Sequence, residues 1–225
     1  FAPSTATVRR MSNAPTIPRL FDQTAQRRYR DRAAAGFGGF DFLKREAALR
    51  IADRLELMRR DFPLCLDFGC HDGALTREIR ATDKVGTVIQ ADPAAGFAAH
   101  AADCGPAVVT EYDRLPFAAA SFDAVFSCLT LHWVDDLPGV MAQMRRMLKP
   151  DGLCLVNLLG GATLTELRAA LLEAEQELSG GAGPRTAPMA ALWPRPSRRR
   201  WQHALWWAAR CGVGRLTMRT GPSAR

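Results

Sequence analysis

Asp67-Phe-Gly69-Cys-His71-Asp-Gly73 is the densest group of residues suited to chemistry, lying where a short apolar run turns into a helical pattern. Glycines at such a turn adopt backbone angles barred to other residues and let the main chain approach a ligand closely. The spacing D-x-G-x-x-x-G lacks the paired glycines of a dinucleotide fingerprint, which argues against a pyrophosphate cradle. A ligand-free tight turn explains this motif alone equally well. Asp92 closes the next apolar run, 19 residues beyond Gly73. A carboxylate there can accept hydrogen bonds from both hydroxyls of a ribose, or simply cap a helix. Glu111 with Tyr112 follows a third such run, where a carboxylate can accept an exocyclic amino group or remain an exposed loop acid. Three such features after successive strands converge on one crevice, and together they favour an adenosine-containing cofactor over an empty turn. His132-Trp133, after the fourth run, reads either as a general base or as a wall residue beside the cofactor.

The elements that must position these residues alternate. Residues 20–35 read as a polar, Arg-rich helix and 40–60 as a second helix, with Phe42, Leu43, Ala47, Leu49, Ile51, Ala52, Leu55 and Met58 as its apolar stripe. Phe62-Pro63 is expected to end that helix. Strands are expected at 64–68, 85–91, 107–110, 122–128 and 153–159, with helices at 74–81, 96–102, 135–148 and 163–178 and a turn at Lys149-Pro150-Asp151-Gly152. This order implies right-handed crossovers and a doubly wound, Rossmann-like α/β sheet covered on both faces.

The 225 residues suit one domain, and 48% hydrophobic content argues against global disorder. No apolar run approaches the roughly 20 residues that span a bilayer. The net charge of +7 is lopsided: +5 over residues 1–32, −7 over 33–178 and +9 over 179–225. Basicity thus belongs to the two ends. The six cysteines form no CxxC pair and read as buried thiols of a reducing compartment, and the scattered histidines make no zinc pattern. The chain opens on Phe1, and Met11-Ser-Asn-Ala-Pro looks like a more natural start. Residues 1–19 are expected to be unstructured, with 1–10 read as a presequence remnant or translated upstream DNA.

DFGCHDG, QADPA, TEYDRLPFAAASFDAV, LTLHWVDDLP and MLKPDGLCLVNLLGG resemble the successive motifs of class I S-adenosylmethionine-dependent methyltransferases. LFDQTAQRRYRDRAA, FDFLKREAALRIADRL and LGGATLTELRAALLEAE are similar to the methyltransferase-like complex I assembly factors of mitochondria and their bacterial relatives. The malonyl-carrier-protein methyltransferases are more distant. The resemblance covers roughly residues 19–190 and implies S-adenosylmethionine as cofactor. It implies that Asp67, Gly69, Cys70 and Gly73 form the cofactor turn, that Asp92 and Pro93 lie at the ribose, and that Glu111 and Tyr112 hold the adenine. Ser127, Leu129 and His132 would border the methionine and acceptor end. No catalytic residue is fixed, His132 being the one candidate. His71 departs from the family, which usually has glycine there, and a positive φ at His71 would be strained.

The resemblance also implies helices at 20–60 capping the site, a core at 61–178, and a small-molecule or protein acceptor such as a complex I subunit. The chemistry would be methyl transfer, the arginine hydroxylation linked to the mitochondrial relatives, or non-catalytic assembly. The setting would be a bacterial cytoplasm or a mitochondrial matrix. Two further strands should follow residue 178, and none is legible. Residues 179–225 instead carry nine Arg, no acid and four of the five Trp. Three readings stand for this tail: a nucleic-acid-binding extension, a solvated disordered end, or a segment read in the wrong frame. The abrupt change of composition favours the last, which makes nucleic acid a disfavoured partner.

Overall fold

The computed structural model describes residues 21–159 and 165–180. The expectations for residues 1–19, for the basic tail and for missing terminal strands lie outside the described residues, apart from Ser179 and Gly180. Five parallel strands form one sheet in the order β3-β2-β1-β4-β5: β1 Phe62–Phe68, β2 Val85–Asp92, β3 Ala107–Val109, β4 Phe122–Cys128 and β5 Leu148–Asn157. The chain adds strands on one side of β1 and then crosses to the other. The reversal puts a crevice at the carboxyl ends of β1 and β4, where ligands of such sheets bind.

The helices are α1 Gln23–Ala34, α2 Phe42–Glu56, α3 Ala74–Arg80, α4 Ala95–Ala101, α5 Leu137–Met147 and α6 Thr165–Ser179. Side chains alternate across the sheet with period two. Cys65, Ala124, Phe126 and Cys128 pack with Ala48, Ile51 and Leu55 of α2 and Leu75 and Ile79 of α3. Leu66, Phe68 and Val125 pack on the opposite face with Val140, Met144 and Met147 of α5. Both faces of the central strands are therefore buried, which accounts for their near-continuous apolar sequence. Cys65, Cys70, Cys128 and Cys154 are buried free thiols.

Three expectations are corrected. Phe62-Pro63 does not terminate α2, which stops at Glu56; it opens β1, its amide donating to Lys84 O. Lys149–Gly152 is not a turn outside the sheet. It lies within β5 as a bulge, the register jumping from Phe122↔Leu148 to Ala124↔Leu153. The α2 stripe is narrower than expected. Phe42, Leu43 and Leu49 are exposed, whereas Lys44 is buried. On α6, Leu167, Leu171 and Leu172 are also exposed. No helix among the described residues is long and apolar enough to cross a membrane.

Candidate functional site

The turn after β1 is built on two left-handed glycines. Gly69 has φ +73°, and a Cβ there would lie 2.1 Å from Thr130 Cγ2, so both conformation and space require glycine. Gly73, at φ +79°, precedes α3. Between them His71 holds φ +57°, the strained conformation anticipated for it. Asp67 is fully buried. Its Oδ2 accepts from Thr76 Oγ1 at 2.9 Å, and its Oδ1 has no partner among the described residues. Burial pushes its carboxyl up to about 6 despite the pull of Lys44.

Asp92, also fully buried, accepts three hydrogen bonds. Its Oδ1 accepts from Ala94 N at 2.9 Å, while Oδ2 accepts from His71 N at 3.0 Å and from Arg30 Nη2 at 2.7 Å. Pro93 carries the chain from this carboxylate towards α4. Glu111 is largely exposed and pairs with Arg27 at 3.7 Å. Tyr112 is buried edge-on against Phe68, with its hydroxyl unpartnered among the described residues. The Arg30 guanidinium lies 5.1 Å from the Phe97 ring centre and 5.9 Å from that of Tyr112.

At the end of β4, hydrogen bonds pin adjacent strand ends together. Ser127 Oγ donates to Phe68 O at 2.9 Å. Lys44 Nζ donates to Gly69 O at 3.0 Å and Cys128 O at 2.7 Å, and Thr130 Oγ1 lies within donating distance of either carbonyl. Leu129 adopts φ +49°, its amide held by Asn157 O at 2.8 Å. A leucine in that region is strained by about 1–2 kcal/mol. His132 is half-buried with Nδ1 unpartnered among the described residues, and burial holds its imidazole down to about 4. The His71 ring lies tilted over Phe97, centroids 3.5 Å apart, and burial holds it too down to about 4.

The structure therefore brings Asp67, Gly69, Cys70, Gly73, Asp92, Tyr112 and Ser127 to one sheet edge, with Glu111 at its rim. Asp67, Cys70, Asp92 and Ser127 are all fully buried, the Ser127 hydroxyl serving the strand pair. The adjoining cavity, about 490 Å³, is lined by none of these residues. Its wall is Phe21, Gln26, Tyr29 and Arg30 from α1 and the segment before it, with His71, Phe97 and Trp133 opposite. Arg30 stands between the cavity and Asp92. The sequence reading missed Arg30, Lys44, Phe97 and Thr130. For Arg30 the signal was present in the arginine-rich 27–32 stretch.

The residues suit an adenosylmethionine in part as they stand. Asp67 Oδ1 is a buried carboxylate oxygen without a donor, fit for an ammonium group, and the Tyr112 hydroxyl is a further unpartnered polar atom. Asp92 and Glu111 are instead paired with Arg30 and Arg27.

Residues 66–156 match the family described as "Methyltransferase domain". The sheet order, the glycine turn and this match make the chain a member of the class I S-adenosylmethionine-dependent methyltransferases. Within that class it is 38% identical over 186 residues to the mouse protein named "Arginine-hydroxylase NDUFAF5, mitochondrial", covering 80% of this chain and 54% of that protein. It is 36% identical over 163 residues to the malonyl-[acyl-carrier protein] O-methyltransferase of Methylovorus sp. (strain MP688), covering 67% of this chain and 55% of that protein. The chain thus spans about half the length of these relatives. Among solved structures, Haemonchus contortus phosphoethanolamine N-methyltransferase 2 shares the fold. Its TM-score is 0.54 at 22% identity, over 67% of this chain and 40% of that one.

Proposed function

We propose that the chain binds S-adenosylmethionine at the carboxyl edge of β1, β2 and β4 and transfers its methyl group to an acceptor entering beside His132 and Trp133. The observation that carries the reading is the gathering of Asp67 from the end of β1, Asp92 from the end of β2, and Glu111 and Tyr112 from the segment after β3 at one carboxyl edge of the sheet. The cofactor would supply an electrophilic methyl on a sulfonium. The chain's part is then positioning and exclusion of water along the approach, which requires no dedicated acid or base. Asp67 would hold the amino group, Asp92 the ribose hydroxyls, and Glu111 with Tyr112 the adenine. Gly69 and Gly73 keep the main chain clear. Burial disfavours the cationic form of His132, so its imidazole stays neutral and is a weak base, in keeping with a wall role beside the acceptor.

The acceptor reading follows the relatives' names. Likeness to the arginine hydroxylase supports a protein acceptor, which the family resemblance of the sequence motifs would place in complex I assembly, and likeness to the malonyl-carrier enzyme supports a carrier-bound acid. A mitochondrial matrix or a bacterial cytoplasm would be the corresponding setting. Hydroxylation of an arginine on the same fold is the second reading, favoured by the mitochondrial relatives' name. Intact-mass analysis of a candidate acceptor separates the two, as an added methylene and an added oxygen differ in mass. The test of the site is calorimetric titration with S-adenosylhomocysteine. Asp92→Ala is expected to weaken binding at least about tenfold, the loss of two charge-assisted hydrogen bonds. Unchanged binding would remove Asp92 from the site.

A further inference from the structure

We propose that α1 is a latch that occupies the cofactor's own carboxylates: Arg30 on Asp92 and Arg27 on Glu111 must let go before adenosine can be held. The inference rests on the reading of the preceding subsection and adds to it an internal competitor. The two arginines are three residues apart, so they share one face of α1. They meet the two acids assigned to ribose and adenine, at 2.7 and 3.7 Å. The Arg30 guanidinium also stands beside Phe97 and Tyr112, the rings that would flank the adenosine. Two matched ion pairs from one helix amount to a stand-in for the ligand.

The latch is built to open. Among its own residues α1 buries only Ala34, which packs at its C-terminal end against Ala94 and Phe97. Its other ties are polar, apart from the ring of Phe21 just before it, which meets Trp133 edge-on. Phe21 N donates to Asp135, Gln23 donates to Asp113 and Asp135, and Gly96 N donates to Asp31. Arg30 Nε is buried with no partner among the described residues, so the closed state leaves a polar group unsatisfied. Beyond Ala34 the chain runs through Gly36, Gly38 and Gly39, around which there is open space. Lifting the N-terminal turns of α1 about Ala34 would free both carboxylates without disturbing the sheet core. Apparent affinity is then the intrinsic affinity reduced by the fraction of open molecules.

The experiment is titration of the full chain and its variants with S-adenosylhomocysteine, with circular dichroism to verify folding. Arg30→Ala is expected to tighten binding about tenfold, and Arg30→Lys, which keeps the charge, to stay within about twofold of the parent. Unchanged or weaker binding in Arg30→Ala overturns the latch, as does equal tightening in Arg30→Lys. Should Arg30→Ala fail to fold, Arg27→Ala, whose side chain is 43% exposed, carries the test with a smaller tightening of about twofold. Asp92→Ala made on top of Arg30→Ala, where no latch remains to release, tells the two failures apart. If the double variant binds like Arg30→Ala, the cofactor reading falls and the latch with it. If it loses binding while the single arginine variants gain nothing, the latch alone falls.

Discussion

The floor of the crevice and the helix that covers it are held by different forces. In the floor, Thr76, Ser127, Thr130 and Lys44 are buried, and each donates to an equally buried acceptor. In the cover, one ion pair is buried, Arg30 on Asp92, while Arg27 and Glu111 meet with side chains 43% and 61% exposed and the other hydrogen bonds lie nearer solvent. A buried polar group stripped of its partner costs about 1–3 kcal/mol, whereas an exposed pair contributes about 0–1. The floor is therefore a preformed scaffold, and α1 is an attachment whose position a ligand can contest.

The sharpest contrast is between two glycines. Gly69→Ala, in the floor, combines a φ of +73° with a Cβ inside the van der Waals shell of Thr130. The expected loss is about 3 kcal/mol, read as a fall in urea midpoint, accompanied by loss of S-adenosylhomocysteine binding. Gly36→Ala, just beyond α1, adds a Cβ that meets nothing, at a negative φ. Its effect should stay within about 0.5 kcal/mol of zero. Equal losses at both positions would mean that cover and floor are one structural unit.

The sequence made the floor more legible than the cover, for a physical reason. Strands β1, β2 and β4 announce themselves because both faces are buried, and Asp67 and Asp92 stand where those apolar runs end. Lys44 escaped because a helical stripe is read from apolar residues, yet its ammonium finds two carbonyls 25 and 84 residues away. Arg30 escaped because an arginine-rich helix reads as a solvated face, and its pairing with Asp92 exists only once α1 crosses the sheet edge. The beginning of β5 escaped because Lys149-Pro150-Asp151-Gly152 has turn composition, and only pairing with Phe122 extends the strand through it.

Protonation tests the boundary between the two regions. His71 and His132 are held down to about 4 by burial, so the unfolded chain binds more protons between pH 6.5 and 4. Their contribution to stability is complete above about pH 6.5 and lost as pH falls through 4. Asp67, pushed up to about 6, acts in the opposite sense: its contribution is complete below about pH 3.8 and lost as pH rises through 6. Two histidines outweigh one carboxylate, so acidification from pH 6.5 to 4 should remove on the order of 3 kcal/mol. His71→Asn keeps a residue that tolerates the left-handed region and removes one titration. With one histidine left against one carboxylate the two nearly cancel, so the variant should lose most of that acid sensitivity in urea unfolding measured across the window. An unaltered slope would assign the acid sensitivity elsewhere.

The smallest expected effect on stability bears most directly on whether α1 is separable. Arg27 and Glu111 lie 3.7 Å apart and both face solvent, so dissolved ions screen them and their side chains lose entropy in meeting. Arg27→Ala should therefore shift the unfolding free energy by less than about 0.5 kcal/mol, and a double-mutant cycle with Glu111→Ala should yield a coupling of the same small size. A loss of 2 kcal/mol or more would show that Arg27 helps hold the fold, and α1 would then belong with the floor. A small coupling instead leaves the Arg27–Glu111 contact free to respond to a ligand, because a tie this weak can yield Glu111 to an adenine with little loss of stability.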